Sequence, residues 1–359
     1  MGRIAHVTDT TVQPSGATPR TAPVGACPLC DGTEAPVLFA APDRLHETPG
    51  EFTYRRCAAC RTVYQDPRVV GEDLPLCYPG EYGTHVTPPP VSADGATRAG
   101  LRELRGAVQA AVQGRPAAGG LGWAGRLLAG NRAVRERAFG GLRDELLPRR
   151  PGTPRALDVG CGAGELLARL RLAGYDAQGV EWDPAAAEVG RRTSGCPVQT
   201  GDFRAVDLPA GSFDLVVLSH VFEHLDDPRG ALRRIHELLA PGGRAVLLYP
   251  NPESLGARVF GSAWFNWDPP RHLVIPPGRA LAAAARRAGL AVVRLSSAAP
   301  NVVSDFRHSR AVRAGLTGER LRRPPRAVWD AVGARAEGAL RSAGMLAGEE
   351  VVLVLQREG

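Results

Sequence analysis

Between residues 155 and 251 the apolar positions fall into five short blocks, each closed by a turn or an acid. Ala156-Leu157-Asp158-Val159 runs into Gly160-Cys161-Gly162-Ala163-Gly164, and Glu165-Leu166-Leu167-Ala168-Arg169-Leu170 then opens a helical pattern. Residues 176–181 (DAQGVE) and 198–203 (VQTGDF) predict strands two and three, and residues 212–219 (SFDLVVLS) predict strand four. Residues 238–243 (LLAPGG) read as a helix end with a turn, and residues 244–249 as strand five. A helix over 278–288, a sixth strand over 290–296, a partly helical insertion over 301–348 and a last strand over 349–356 (EEVVLVLQ) follow. Upstream, 101–112 and 133–147 carry helical spacing, the second with apolar residues at 134, 138, 139, 142 and 146. Strands alternating with helices, and apolar over most of their length, predict an α/β fold with a doubly wound sheet.

The glycine run decides what such a sheet would bind. Glycine lets the backbone turn sharply and lets a ligand reach the main chain. The chain contains no lysine, which excludes a phosphate-binding P-loop and any lysine Schiff base. The spacing is G-x-G-x-G rather than the dinucleotide G-x-G-x-x-G, and Asp158 stands two residues before the first glycine. A carboxylate there repels pyrophosphate but suits a ligand with an ammonium and a sulfonium, which points to S-adenosylmethionine (SAM). Asp158, Gly160, Cys161, Gly162 and Gly164 are the loop candidates. Glu181, 23 residues after Asp158, would accept the ribose hydroxyls, with Trp182 beside it. Asp202 and Phe203 would hold the adenine amine and ring, and Ser219 and His220 close strand four. In order and spacing, residues 155–251 resemble the class I SAM-dependent methyltransferases. The resemblance implies a Rossmann-like seven-stranded sheet, its last strand inserted antiparallel beside strand five, in a SAM-binding domain over 151–359.

Seven cysteines add a second centre. Cys27-Pro28-Leu29-Cys30 and Cys57-Ala58-Ala59-Cys60 are two CxxC knuckles 26 residues apart, the pattern of a zinc ribbon. Four thiolates leave no open position, so the expected Zn²⁺ is structural. Disulfides compete, but an odd cysteine count and the lack of an apolar leader disfavour them. Cys77, Cys161 and Cys196 read as small buried or loop residues. The expected organisation is a disordered tail over 1–24, a zinc-ribbon module over 25–83, and a Pro-rich linker with helices over 84–150.

Composition is that of a soluble globular protein, 44% hydrophobic and 23% charged. No apolar run approaches the roughly 20 residues needed to span a bilayer, so no membrane partner and a cytoplasmic location are expected. The net charge of +7 raises the question of nucleic acid. Arginines such as Arg286-Arg287 and Arg322-Arg323 read better as solvated helix faces, so nucleic acid is disfavoured as a partner. Monomer and homodimer both stay open.

Strand four runs into His220-Val221-Phe222-Glu223-His224-Leu225-Asp226, beside the expected methyl group. Imidazoles and a carboxylate there invite a general-base reading; the alternative is that Glu223-His224 only caps and packs the next helix. The ribbon, the SAM core and this pair together resemble the ribbon-bearing methyltransferases of sugar and natural-product pathways, among them the C-methyltransferases of keto-deoxysugars. That resemblance implies His224 as the base that removes a proton α to a ketone, Glu223 as its orienting partner, and Tyr78 or Tyr82 in the acceptor pocket. Val221 stands where the sugar enzymes tend to carry a tyrosine. Some quinone-pathway methyltransferases bind metal at this pair, which would instead make Glu223 and His224 Mg²⁺ ligands. Residues 264–273 (WFNWDPPRHL) offer His272 as a second candidate base; their tryptophans would either overhang the acceptor or pack as a rigid lid. Asp268-Pro269-Pro270 resembles the D-P-P-Y motif of DNA methyltransferases, but it follows strand five and continues with arginine, so the two are not equivalent. The expected activity is methyl transfer to carbon or oxygen of a small-molecule acceptor, a sugar or secondary-metabolite intermediate. The alternatives are non-methyl use of SAM (cyclisation or aminocarboxypropyl transfer) and RNA modification.

Overall fold

A computed structural model describes residues 17–78, 99–117, 119–139, 142–149 and 152–358. Short strands come first: β1 (Thr21–Ala22), β2 (Val37–Ala41), β3 (Phe52–Arg56), β4 (Val63–Gln65) and β5 (Arg68–Val69). Helices α1 (Ala99–Val112), α2 (Gly122–Leu128) and α3 (Arg132–Ala138) follow. The alternating region then runs β6 (Arg155–Val159), α4 (Glu165–Leu172), β7 (Asp176–Glu181), α5 (Pro184–Ser194), β8 (Val198–Thr200), β9 (Phe213–Ser219), α6 (Pro228–Leu238) and β10 (Leu239–Pro250). Next come α7 (Leu255–Phe260), β11 (Val274–Ile275), α8 (Gly278–Arg287) and β12 (Leu290–Ala298). The chain closes with α9 (Val302–Arg313), α10 (Gly318–Arg322), α11 (Val328–Ser342) and β13 (Glu350–Arg357).

The large sheet has seven strands in the order β12-β13-β10-β9-β6-β7-β8. β10, β9, β6, β7 and β8 are parallel, and β13 is antiparallel to both β10 and β12. This is the doubly wound, class I methyltransferase sheet that the apolar blocks and the glycine motif imply. β9 (FDLVVLS) is buried over most of its length because both faces are covered. Pro184 and Pro228 start α5 and α6 behind capping Asp183 and Asp227, whose carboxylates accept backbone N–H groups. Chain order reverses at β6, which has β7 on one side and β9 on the other. That switch point opens a crevice at the carboxyl ends of the strands.

Several local expectations need correction. Residues 239–243 are not a separate turn: β10 begins at Leu239, opposite Phe213, and its pairing with β9 shifts register before Arg244. Pro241-Gly242-Gly243 bends the strand without ending it. The helical pattern over 133–147 covers α3 and a 3-10 turn at Asp144–Leu146. The tail expected to be disordered to Val24 pairs at Thr21–Ala22 with Arg68–Val69, and Arg20 bonds Asp73 and Glu72. The Pro-rich linker and Tyr82 lie outside the described residues.

The ribbon is not self-contained. Its sheet runs β11-β4-β3-β2, so Val274–Ile275, from beyond strand five, supplies the fourth strand. Leu29, Cys27, Cys57 and Tyr64 join the buried cluster that holds Leu157, Val216 and Leu353 of the large sheet. A second ribbon cluster packs Phe39, Tyr54 and Val63 against Trp264 and Trp267. A boundary at residue 83 therefore divides the chain in sequence but not in packing.

Candidate functional site

The two cysteine knuckles have one shared geometry. In each, the N–H of the first cysteine donates to the carbonyl five residues on (Cys27 to Gly32, 2.9 Å; Cys57 to Thr62, 3.0 Å). The N–H four residues on then returns to the first cysteine's carbonyl, from Asp31 at 2.9 Å and from Arg61 at 3.0 Å. Those two residues take left-handed φ of 61° and 66°, which tightens each turn so that both of its sulfurs face inward. Cys27 and Cys60 Sγ are 3.6 Å apart, as are Cys30 and Cys57 Sγ, and all four sulfurs are free of disulfides. A Zn–S bond of about 2.3 Å gives a tetrahedron with edges of about 3.8 Å. A Cβ on Gly32 would come within 3.0 Å of Cys57 Sγ, so glycine is needed beside the sulfurs. The donor set and its spacing fit Zn²⁺.

At the crevice lies a cavity of about 780 Å³. One end is formed by Gly160, Glu181, Trp182, Asp202, Phe203 and Ser219, all foreseen from the sequence. Gly162 N–H donates to Glu181 Oε2 (2.8 Å), which ties the glycine loop to the tip of β7. Asp202 is held by Arg204, which also reaches Asp226. Four foreseen residues do not line the cavity: Gly162, whose N–H is turned to Glu181, and three more. Cys161 packs under the loop, where a Cβ on Gly179 would meet its Sγ at 2.6 Å. Gly164, at φ +80°, makes room for α5, since a Cβ would lie 2.7 Å from Gly190 O. Asp158 is buried beneath Gly160, and its Oδ2 has no hydrogen-bond partner. Burial, then the nearby Glu181, pushes its carboxyl up to about 8. An orphaned buried carboxyl under a glycine loop fits the ammonium of SAM.

The other end brings together three histidines, Tyr78 and parts of the ribbon. His220 follows β9 in a left-handed conformation, φ 56°, uncommon for a side chain with a Cβ. Its Nε2 lies 3.1 Å from Glu350 Oε2 and its Nδ1 3.5 Å from Glu223 Oε1, while 53% of the side chain stays open toward the cavity it lines. Burial opposes its charge, but the two carboxylates hold its pKa up at about 10. Both ring nitrogens face acids, which favours the imidazolium form of His220.

His224 is the reverse case. Burial, then the adjacent His272, lowers its pKa to about 4. Its Nδ1 is 3.0 Å from Arg271 O and 2.9 Å from Tyr78 Oη. A carbonyl only accepts, so Nδ1 carries the proton and Nε2 keeps the lone pair. The expected pairing with Glu223 is absent: no hydrogen bond or ion pair joins Glu223 to His224 among the described residues. Glu223 instead approaches His220 and His272 (Nε2, 3.9 Å). Both of its oxygens are buried without a hydrogen bond. His272 donates from Nδ1 to Asn266 O (2.9 Å), and its ring centroid is 4.7 Å from that of His224 in an edge contact. Trp264 and Trp267 do not overhang the acceptor; they are buried in the ribbon cluster, and Phe265 and Asn266 face the cavity. Leu45 and Leu74 of the ribbon also line it. These and Glu350 went unforeseen because their approach spans long separations and leaves no local pattern; Asp268, four residues before His272, was read only as part of a D-P-P motif.

A nucleotide-sized crevice at the switch point, an acid on the tip of β7 and an orphaned acid under the glycine loop define a SAM-dependent transferase. The chain belongs to the class I SAM-dependent methyltransferases. The family model described as "Methyltransferase domain" matches residues 131–295. An uncharacterized methyltransferase of Mycobacterium tuberculosis is 32% identical over 157 residues, covering 38% of this chain and 79% of that protein. A ubiquinone biosynthesis O-methyltransferase of Cereibacter sphaeroides is 36% identical over 123 residues, covering 32% of this chain and 50% of that protein, so the chain spans about half of that relative's length. A solved SAM-dependent methyltransferase from Archaeoglobus fulgidus has a TM-score of 0.42 at 19% identity, covering 65% of this chain and 97% of that one. The fold assignment rests on the strand order and not on that likeness.

Proposed function

We propose that this methyltransferase methylates carbon or oxygen of a small-molecule acceptor, a sugar or secondary-metabolite intermediate, with an imidazole as base. The observation that supports this is the division of one cavity: SAM-type ligands at one end, and His220, His224, His272 and Tyr78 at the other. SAM, when bound, supplies an electrophilic methyl group. Nε2 of His224 would take the proton from an acceptor hydroxyl or from a carbon α to a carbonyl. His220 would contribute a fixed positive charge beside the oxygen that becomes anionic. Leu45, Leu74 and Phe265 would hold the apolar part of the acceptor and exclude water. The four cysteines would hold structural Zn²⁺. A cytoplasmic enzyme of natural-product biosynthesis is the setting this reading implies; among the described residues no helix is long and apolar enough to cross a membrane.

One observation favours a second reading. Glu223, His224 and His272 each offer a ligand atom, and these lie within 4.8 Å of one another. The orphaned Glu223 oxygens and the Nδ1 protons committed to carbonyls suit a divalent cation, which would supply Lewis-acid polarisation of the acceptor oxygen.

Calorimetry with S-adenosylhomocysteine (SAH) and mass analysis after incubation with SAM and candidate acceptors test the proposal. Glu181→Ala should weaken SAH at least about tenfold, since a lost charge-assisted bond costs about 1.5–3 kcal/mol. Products should gain one methylene unit, and His224→Gln should remove turnover while sparing SAH affinity. Unchanged SAH affinity in Glu181→Ala would overturn the cofactor site. Transfer of a larger SAM fragment, or cyclisation without SAM consumption, would overturn methyl transfer, and turnover retained in His224→Gln would move the base to His272. Turnover that a chelator stops and Mg²⁺ restores would favour the second reading.

A further inference from the structure

A zinc ribbon has no chemical need to touch an active site, yet here one buried side chain connects the two. Arg271 is 0% exposed. Its Nη1 donates to Asp43 Oδ2 (2.8 Å) and Cys77 O (3.1 Å), and its Nη2 to Asp43 Oδ1 (2.9 Å). On the other side Nε donates to Asp268 Oδ2 (2.9 Å) and Nη2 to Asp268 Oδ1 (2.6 Å). The guanidinium is thus gripped by two carboxylates in bidentate fashion, geometry that lysine would not reproduce. Asp43 is itself immobilised: it accepts from Leu45 N–H, His46 N–H and Thr48 N–H, and from Thr48 Oγ1 at 2.7 Å.

The main chain of the same residue meets the catalytic end. Arg271 O is the acceptor for His224 Nδ1. The flanking backbone is held by the ribbon as well. Tyr54 Oη donates to His272 O (2.9 Å), Gln65 N–H donates to Leu273 O (3.0 Å), and Val274–Ile275 pair with β4. Leu273 N–H returns to Glu223 O (2.7 Å). Taking such an ion pair out of water costs desolvation, so its presence is weak evidence for a stabilising role.

We propose that Arg271, clamped between Asp43 of the ribbon and Asp268 of its own loop, is a positioning residue for His224. It fixes the carbonyl that dictates which imidazole nitrogen carries the proton. The ribbon therefore sets the tautomer of the base, beyond stapling the chain. The catalytic meaning of this inference rests on His224 being the base; the positioning itself does not.

The test is long-range ¹H–¹⁵N NMR of the histidine rings in the full-length, zinc-loaded protein, with His224 assigned through His224→Gln. The wild-type ring should carry its proton on Nδ1, toward Arg271 O. Asp43→Asn should leave SAH affinity within about twofold and mix the two tautomers. If Asp43→Asn does not fold, Thr48→Val, which removes one donor to Asp43, should produce the same change in smaller measure. A variant with a lowered melting temperature but an unmoved His224 tautomer would overturn the proposal, because the clamp would then be only structural. A moved tautomer in an enzyme that transfers no methyl would uphold the positioning and refute the base.

Discussion

Asp158 carries a marked pH signature. Its folded pKa, raised to about 8 by burial and then by Glu181, lies above its unfolded value of 3.8. The native state therefore binds the extra proton, and stability falls as pH rises between those two values. An ammonium held above the glycine loop would favour the ionised form of the carboxyl buried beneath it, so ligand binding should expel a proton. Calorimetry of SAH at pH 7 in buffers of different ionisation enthalpy should report release approaching one proton. Asp158→Asn should abolish that release, weaken SAH, and leave the ligand-free protein as stable or more so by urea titration at pH 7. Release unchanged in the variant would place the ammonium elsewhere. The signal legible in the sequence here was position, an acid two residues before a glycine loop. Its depth beneath the loop was not legible, because burial depends on β7 and β9 packing on either side of β6.

At the scale of elements, the ribbon sheet and the loop after β10 stand or fall together, because β11 completes the ribbon. If the four cysteines hold Zn²⁺ as proposed, its removal by a chelator should accelerate amide exchange at residues 273–275 as well as in β3 and β4, by at least about an order of magnitude if local opening becomes 1.4 kcal/mol easier. Exchange confined to residues 27–62 would show two independent units. Trp267→Ala should likewise cost roughly 3–5 kcal/mol in denaturant unfolding, the usual range for an aromatic removed from a packed core. Sequence reading did well where structure is local. The apolar runs of β6, β9 and β13 and the two CxxC knuckles announce themselves within a few residues. It failed at β11, two residues long, whose partner at Tyr64 lies across the whole SAM core, and at Pro241-Gly242-Gly243, where turn-forming residues sit inside a strand. His220, His224 and His272 were each identified, but Glu350 and Arg271 O, the hydrogen-bond partners of the first two, come from distant segments.

For the whole molecule, the ribbon is a wall of the cavity and a share of the core. A chain shortened to begin at residue 99 would lose Leu45, Leu74 and Tyr78 from the acceptor end and Leu29 and Tyr64 from the main cluster. It should keep far-ultraviolet helical signal while losing near-ultraviolet dichroism and cooperative unfolding. A sharp, wild-type-like transition would show that the SAM core folds alone.

The late arrival of β11 also sets a timetable. Synthesis proceeds at about 5–20 residues per second, so roughly 10–40 s separate translation of β4 from that of its outer partner. Throughout that interval β4 presents unpaired backbone groups at the sheet edge, the kind of surface that recruits other chains. Early capture of metal by the two knuckles would hold the nascent hairpin in register while it waits. Metal starvation during growth should then lower the yield of folded protein more than chelation lowers the stability of protein already made.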